Sequence, residues 1–195
     1  MDIVAAPSFS DGAIEILSRK KGKCRLLANP AILKAGLSSI DTEKRFRYVR
    51  GGFMEQPNYT FVPEVKNADV ILAWAVGSTS NSNTITLVKD GRLYGNGVGQ
   101  QDRVGAAKLA IFRADDEARF ADSATAQADL ENAVAYSDSF FPFPDAPDVL
   151  IERDIKTIFS TSGSVNDDKI IELCSQKGVN LILLPDTKAR GFYQH

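Results

Sequence analysis

The chain has 195 residues, of which 44% are hydrophobic, and its 23 basic and 25 acidic side chains give a formal net charge of -2. This size suffices for one well-buried domain over residues 1–195, and the balance of charge leaves no electrostatic footprint for nucleic acid or an anionic membrane. No apolar run approaches the roughly eighteen residues of a membrane span, and Asp2 stands where a secretory signal carries basic residues, so we expect a soluble, cytoplasmic protein.

The opening of the chain predicts a β-α-β unit. Residues 2–6 form a short apolar strand, Ser10 is a plausible N-cap for a helix that continues through Lys20, and residues 24–28 return as a strand. A strand, a helix and a second strand in this order favour a layered α/β fold. The helical side chains expected to face the core are Ile14 and Leu17.

The next segment carries a hairpin and a helix. Residues 29–42 carry mixed sequence signals for secondary structure, and we expect them to be loop with some helix. Arg45–Arg50 and Phe53–Glu55 flank a Gly-Gly pair, which predicts a β-hairpin. Asn67 is positioned to cap a helix over residues 68–77.

Residues 82–110 are the most distinctive stretch of the chain. Thr84–Val88 and Arg92–Gly97 flank an Asp-Gly turn, which predicts a second hairpin. Gly95, Gly97 and Gly99 then alternate, and we expect such a loop to let the backbone come close to a ligand. Gln100, Gln101 and Arg103 stand at the entrance of the helix that follows.

An acidic segment and an aromatic motif come next. Residues 115–132 are predicted to form one or two solvated helices with a charged face. Residues 133–137 form a strand that leads into Phe-Phe-Pro-Phe-Pro-Asp at residues 140–145. Aromatic rings and prolines at a strand end make a rigid wall for a flat ligand, or they plug the core.

The last third predicts strand, turn, helix and strand. Strands are expected at Ile155–Ser160 and Val179–Leu184, separated by Ser162-Gly163-Ser164 and a helix over residues 166–177 that ends at Gly178. The turn could bind an anion at a helix amino terminus, or it could be an ordinary β-α connection. The helical side chains expected to point inward are Ile170, Ile171 and Cys174.

Several chemistries are excluded by what the sequence lacks. Cys24 and Cys174 are expected to be buried free thiols, without a disulfide or a metal site. The zinc signature of deaminases is absent, and so is a phosphate-binding NTPase loop. The single histidine is His195, the last residue. A catalytic triad would therefore depend on a terminal position that is prone to fraying.

Three blocks of the sequence resemble, in order, the transformylase domain of the bifunctional AICAR transformylase/IMP cyclohydrolase family. They are SNTITLVKDGRLYGNGVGQQDRVGAAKLA at residues 82–110, SDSFFPFPDA at residues 137–146, and SGS at residues 162–164 followed by Arg-x-Phe-x-x-His at residues 190–195. The resemblance implies a cytidine-deaminase-like fold with a mixed sheet between helices. It covers nearly all of this chain, but only the carboxyl-terminal half of the family's transformylase domain.

The resemblance also implies a reaction. In the family, the exocyclic amine of 5-aminoimidazole-4-carboxamide ribotide attacks the formyl group of 10-formyltetrahydrofolate. That amine is a poor nucleophile, so the site must orient it, accept its proton and stabilise an oxyanion. The matched catalytic positions are Asn83 and His195. The other matched positions are Phe140, Arg190 and Phe192 for the ribotide, and Gln101, Arg103, Pro142 and Asp145 for the folate.

Some positions depart from the family pattern. Ser78 and Thr79 stand where the family usually has a lysine and a histidine or tyrosine. Asp102 replaces a serine, and His195 is displaced by one position. No Lys-His dipeptide, which the family uses for proton transfer, occurs in this sequence.

Two hypotheses follow from these observations. The first is a short transformylase that acts as a homodimer or with a separate chain that supplies the missing half, with a potassium ion allowed near Ser82 and Asp138. The second is a non-catalytic module that binds the nucleotide or the folate. Taken singly, Asn83 could be a turn residue, Arg103 a surface residue at a helix start, and Asp145 an N-cap.

Overall fold

The computed structural model describes residues 2–18, 24–123 and 126–191. The chain separates into two compact units, residues 1–60 and 61–195. This division does not test the expectation of one domain over residues 1–195, which stays a prediction. Phe192 and His195 lie outside the described residues, and so does Lys20.

The first unit contains the predicted β-α-β unit. Strands β1 (Asp2–Ala6) and β2 (Cys24–Ala28) pair in parallel, and helix α1 (Asp11–Ser18) lies between them in sequence. Ser10 Oγ accepts a hydrogen bond from the Ala13 backbone N at 3.3 Å, as expected of an N-cap. The prediction that Ile14 faces a core is wrong, because its side chain is 42% exposed.

The remainder of the first unit is short turns and a hairpin. Two 3-10 helices, Pro30–Lys34 and Leu37–Ser39, occupy the segment of mixed signals. Strands β3 (Arg45–Val49) and β4 (Gly52–Gln56) form the predicted antiparallel hairpin. None of the described residues up to Thr60 is buried, so the helix and hairpin of this unit share no core.

The second unit is built on a mixed five-stranded sheet. Its strands are β5 (Ile85–Lys89), β6 (Arg92–Gly97), β7 (Val134–Ser137), β8 (Thr157–Ser162) and β9 (Asn180–Pro185), in the spatial order β6-β5-β7-β8-β9. Strand β5 runs antiparallel to β6 and β7, whereas β7, β8 and β9 run parallel to one another. Its helices are α2 (Ala68–Gly77), α3 (Arg103–Ala121), α4 (Asp145–Ile151), α5 (Asp167–Gln176) and α6 (Asp186–Ala189).

Helices cover both faces of this sheet. On one face Leu87, Ala110, Leu150, Ile158 and Ile170 join α3, α4 and α5 to the strands in a single buried cluster. On the other face, the buried residues of α2 pack against the sheet. The members of that second cluster are Val70, Ala73, Val88, Val134, Tyr136 and Phe159. The predicted α/β fold of layered helix, sheet and helix is confirmed.

Two of the alternating glycines serve helix packing. A Cβ atom added to Gly95 would lie 2.0 Å from the Ala110 carbonyl oxygen, and one added to Gly97 would lie 2.0 Å from that of Ala106. Glycine at these positions therefore lets β6 lie directly against the backbone of α3. The expectation that these two glycines bring backbone close to a ligand is wrong.

The predicted solvated helices over residues 115–132 need a second correction. Helix α3 continues through this region only to Ala121, and Asp115 is 8% exposed. Its Oδ2 and Oδ1 accept hydrogen bonds from Arg153 Nη1 and Nη2, each at 2.8 Å, and Oδ1 accepts another from the Ala128 N at 2.9 Å. Burial raises the pKa of this carboxyl, but the bonds from Arg153 and Ala128 outweigh burial and lower it below its ordinary value.

Helix α5 follows the sequence pattern with one exception. Ile170 and Cys174 are buried, and Gly178 follows the helix at φ 66°. Ile171 is 48% exposed, because its neighbour Ile170 occupies the inward face and the helix turns by about 100° per residue. Cys24 is only half-buried, contrary to expectation.

No helix among residues 2–18, 24–123 and 126–191 has the length and apolar character needed to cross a membrane.

Candidate active site

A cleft opens at the end of the five-stranded sheet where the parallel strands have their carboxyl termini. The three parallel strands all end there, and the amino-terminal residue of β5, Ile85, pairs with Ser137 at the end of β7. Side chains that follow parallel strands converge at such an edge, where α/β proteins bind ligands. The cleft has a volume of about 360 Å³. It is lined by Ser82, Asn83, Gln101, Asp102, Arg103, Ser139, Phe140, Pro142 and Arg190.

The structure therefore brings together most of the described residues that the sequence assigns to the site. Asn83 comes from the loop before β5, Gln101 and Arg103 from the start of α3, Phe140 and Pro142 from the loop after β7, and Arg190 from the end of α6. These segments are separated by up to 107 positions in the chain (190 minus 83). Their roles in binding stay predictions.

Asn83 is fixed by the loop that precedes α3. Its backbone N donates to the Gln100 carbonyl at 3.1 Å, and the Gln100 N donates back to the Asn83 carbonyl at 3.1 Å. The Asn83 side chain also donates from Nδ2 to the Gln100 carbonyl at 2.9 Å. One Nδ2 proton and the Oδ1 atom have no partner among the described residues, so this amide can still donate to and accept from a ligand.

A buried ion pair forms the floor of the cleft. Arg103 Nη1 lies 2.5 Å from Asp138 Oδ1, and Arg103 Nε donates to the Phe140 carbonyl at 2.9 Å. Asp138 is fully buried, and its two oxygens also accept hydrogen bonds from the Thr84 N at 2.7 Å and the Ser82 Oγ at 2.5 Å. The pair thus joins the start of β5, the start of α3 and the end of β7.

Arg190 forms an ion pair with an acidic residue one helical turn earlier. Its Nε lies 2.8 Å from Asp186 Oδ2, and its guanidinium carbon lies 6.0 Å from the centroid of the Phe140 ring. Asp186 Oδ1 accepts hydrogen bonds from Ser139 Oγ at 2.9 Å and Thr161 Oγ1 at 2.5 Å. None of the described residues accepts a hydrogen bond from the two Nη atoms of Arg190.

The aromatic motif serves both purposes considered from the sequence. Phe141 is 2% exposed and belongs to the core, whereas Phe140 lines the cleft and Phe143 is 58% exposed. Asn166 Nδ2 donates to the Pro142 carbonyl at 2.7 Å and fixes the loop to the segment before α5. One ring therefore plugs the core while its neighbour forms a wall of the cleft.

Two predicted features lie apart from the cleft. Asp145 is exposed at the first residue of α4, where its Oδ1 accepts a hydrogen bond from the Ala146 N at 2.9 Å, and it is not among the cleft-lining residues. The Ser-Gly-Ser turn offers no open anion site, because the Asp167 carboxylate already accepts hydrogen bonds from the Gly163 N at 2.7 Å and the Ser164 N at 3.2 Å. The reading as an ordinary connection between β8 and α5 is the correct one.

The sequence did not predict Ser139 or Asp186 as site residues, and it predicted Asp138 only as a neighbour of a potassium ion. Each directly or closely follows the end of a parallel strand, β7 or β9. Polar residues at the carboxyl ends of adjacent parallel strands are the signal that could have identified them. The pairing of Asp186 with Ser139 and Thr161, across 47 and 25 positions, leaves no mark in the sequence itself.

The charges in and beside the cleft do not sum to a positive value. Arg103 and Arg190 are its cations, and Asp102, Asp138 and Asp186 lie in the same network. Asp102 also caps α3, since its Oδ1 accepts a hydrogen bond from the Gly105 N at 2.6 Å. Among the described residues, three carboxylates thus face two guanidinium groups.

The sheet, with helices on both faces and a cleft at the ends of its parallel strands, places the protein in the layered α/β class, whose members commonly bind ligands at this position. The chain belongs to the AICARFT/IMPCHase bienzyme family, whose sequence pattern matches residues 1–113. The family resemblance seen in the sequence is thereby confirmed.

Curated relatives extend the match along almost the whole chain. The chain is 38% identical to the bifunctional purine biosynthesis protein PurH of Cutibacterium acnes, over 98% of this chain and 36% of that protein. It is 35% identical to PurH of Corynebacterium glutamicum with the same coverage, and 34% identical to PurH of Prochlorococcus marinus over 93% of this chain and 35% of that protein. The chain thus spans about a third of the length of these relatives.

Proposed function

We propose that this chain forms one side of a transformylase site, where 5-aminoimidazole-4-carboxamide ribotide receives the formyl group of 10-formyltetrahydrofolate in IMP biosynthesis. The observation that carries the proposal is the convergence of Asn83, Arg103, Phe140 and Arg190 on one cleft. Family membership supports the same assignment.

The cleft offers a role for each substrate group. The free Nδ2 proton of Asn83 donates to the oxyanion that forms when the amine attacks the formyl carbon, and this amide does not titrate. The Phe140 ring packs against the flat imidazole, and the Nη atoms of Arg190 bind the ribotide phosphate. Gln101 and Pro142, which line the cleft, are assigned to the folate, and Asp145, which does not line it, is assigned there by the family match alone.

Arg103 lies at the floor of the cleft, and we assign it an electrostatic role. Its Nε and Nη1 atoms hold the Phe140 carbonyl and the Asp138 carboxylate, so its guanidinium cannot move far. Because Asp138 balances its charge, Arg103 offers a developing oxyanion the fixed dipole of an ion pair and not a free cation. Arg103 is therefore assigned to the electrostatics of the site, toward the folate.

Two features support completion of the site by a second chain. A volume of about 360 Å³ is at the low end of the roughly 300–1,000 Å³ typical of small-molecule sites, so the cleft fits one substrate better than two. Its carboxylates also outnumber its guanidinium groups, which opposes binding of a dianionic phosphate. We propose that a second copy, or a polypeptide with the half of the transformylase domain that residues 1–195 do not match, supplies further cations and the proton acceptor.

The suggested potassium ion stays a prediction. Both oxygens of Asp138 already accept hydrogen bonds, and the Arg103 guanidinium balances their charge. We therefore assign no step of the reaction to the ion.

A second candidate function is a non-catalytic module that binds the ribotide or the folate. One feature of the sequence favours this function. The single histidine is preceded by Gln194 and not by a lysine, so residues 1–195 contain no Lys-His pair to accept the proton. This module would keep the contacts of Phe140 and Arg190 without turnover.

One experiment separates the two functions. The protein, alone and with candidate partner chains, is incubated with the ribotide and 10-formyltetrahydrofolate while tetrahydrofolate formation is followed by absorbance. Turnover that Asn83→Ala abolishes supports the transformylase. Saturable calorimetric binding of the ribotide without turnover in any mixture supports the module, and binding of neither substrate contradicts both.

A further inference from the structure

We propose that Asp186 is a positioning residue that holds the Arg190 guanidinium over Phe140 in the orientation that receives the ribotide phosphate. The inference rests on the proposed function. Among the described residues, Asp186 is the carboxylate that pairs with Arg190, with Oδ2 2.8 Å from Nε.

The Asp186 carboxylate is itself held from two strand ends. Its Oδ1 accepts hydrogen bonds from Ser139, in the loop after β7, and from Thr161, near the end of β8. With Oδ1 held by these two bonds, Oδ2 lies on the side of Arg190. The side chain of Asp186 is only 17% exposed, so water competes weakly for it.

The Asp186–Arg190 ion pair leaves the two Nη atoms of the arginine available to a ligand. Arg190 Nε is paired with Asp186 by charge and distance but not in hydrogen-bond geometry, while the two Nη atoms have no partner among residues 2–18, 24–123 and 126–191. Those Nη atoms suit bidentate contact with phosphate oxygens. A long side chain that is ordered in advance loses less conformational entropy when the ligand binds.

Charge alone predicts the opposite effect of this carboxylate. A negative group beside Arg190 repels phosphate, so its removal would strengthen binding if orientation did not matter. Asp102 provides the comparison, because it lines the same cleft but does not pair with Arg190. Asp186→Asn and Asp102→Asn remove the same charge, and only the first disturbs the arginine.

The test is calorimetric affinity for the ribotide and for the corresponding riboside, which lacks the phosphate. We expect Asp186→Asn to weaken ribotide binding about tenfold and to leave riboside binding unchanged, since Asn Nδ2 would face the Nε donor. Asp102→Asn is expected to strengthen ribotide binding. In an Arg190→Gln background, Asp186→Asn should cause no further loss of ribotide affinity, and only the gain that removal of its charge gives should remain.

Several outcomes would overturn the inference. Equal gains in ribotide affinity from both asparagine variants would show that charge alone acts, and additive losses with Arg190→Gln would separate the two residues. Wild-type binding that Asp186→Asn leaves intact also rejects it, without touching the proposed function. Absence of any ribotide binding by the wild type rejects the proposed function and this inference together.

A second variant covers the case in which Asp186→Asn does not fold. Asp186→Glu keeps the charge but moves the carboxylate by one methylene. The same loss of ribotide affinity is expected, and unchanged affinity contradicts the positioning role.

Discussion

The Arg103 guanidinium and the Asp138 carboxylate meet at 2.5 Å beneath the cleft, with Arg103 8% exposed and Asp138 not exposed at all. Each residue belongs to a different sequence block, one at the start of α3 and one after β7. Asp138 also accepts hydrogen bonds from Thr84 and Ser82, so this pair joins the segment that carries Asn83 to the loop that carries Phe140. The geometry of the proposed site therefore depends on a structural ion pair whose arginine also lines the cleft.

Breaking this pair should cost much more stability than breaking an exposed one. Arg103→Ala leaves the Asp138 charge buried without a cation, and we expect a loss of about 3–5 kcal/mol in the free energy of unfolding. The matched control is Arg92→Ala, because the Arg92–Glu117 pair is 60% and 52% exposed and should change stability by no more than about 1 kcal/mol. Urea unfolding measures both. Equal, small effects would show that the pair is not a structural anchor.

The close approach of β6 to α3 predicts a large effect of a single methyl group. Gly97→Ala places a Cβ atom 2.0 Å from the Ala106 carbonyl oxygen, so the strand and the helix must separate, and we expect a loss of about 2–3 kcal/mol. The control is Gly105→Ala in α3, whose added Cβ atom would lie 3.3 Å from the Asp102 carboxylate. This change should alter stability by less than about 1 kcal/mol. Thermal unfolding compares the two. A Gly97→Ala protein as stable as the Gly105→Ala protein would contradict the packing described for β6.

The Asp115–Arg153 pair predicts a specific dependence of stability on pH. The folded-state pKa of Asp115 is lowered, so its contribution is fully present above the unfolded value near 3.8 and is lost as pH falls through the folded value. At pH 7, Asp115→Asn should lower the free energy of unfolding by about 1.5–3 kcal/mol. The gap between wild type and variant should narrow below pH 3.8 in urea unfolding. A gap that stays constant or widens on acidification would contradict the assigned charge state.

The two thiols should react at very different rates. Burial raises the pKa of the Cys174 thiol to about 11, so at pH 8 it is neutral as well as inaccessible. Cys24 is half-buried and should react with a disulfide reagent in the native protein, whereas Cys174 should react only after unfolding in urea. The Cys24→Ser variant is the control, since it should show no fast phase. A fast phase that persists in this variant would contradict the burial of Cys174.

Local patterns predicted most of the fold. The hairpin turn at Asp90-Gly91, the Asn67 cap and the glycine after α5 each belong to an element that the structure contains. These signals work because they act within a few residues of one another. The prediction for Ile14 failed because none of the described residues up to Thr60 is buried, so its helix has no core to face. The prediction for Ile171 failed because helical periodicity indicates an apolar stripe but not which of its members lies at the edge of the core.

The site was predictable only as far as the family resemblance reached. Asn83, Arg103, Phe140 and Arg190 were identified through matched blocks, and the structure brings them to one cleft. Asp186 depends on contacts with Ser139 and Thr161 that no spacing reveals. Gly95 and Gly97 were misassigned because a glycine that admits a helix backbone looks, in sequence, like one that admits a ligand.

The most direct test of the proposed function is to locate the ligand on the protein. Nitrogen-15 spectra of the labelled chain are recorded during titration with the ribotide, for the side-chain amide of Asn83 and the Nε signal of Arg190, and with 10-formyltetrahydrofolate, for the side-chain amide of Gln101 and the Nε signal of Arg103. We expect saturable shifts concentrated on these four groups, with little change at the hairpin of residues 45–56. Absence of saturable shifts, or shifts confined to residues away from the cleft, would contradict the account.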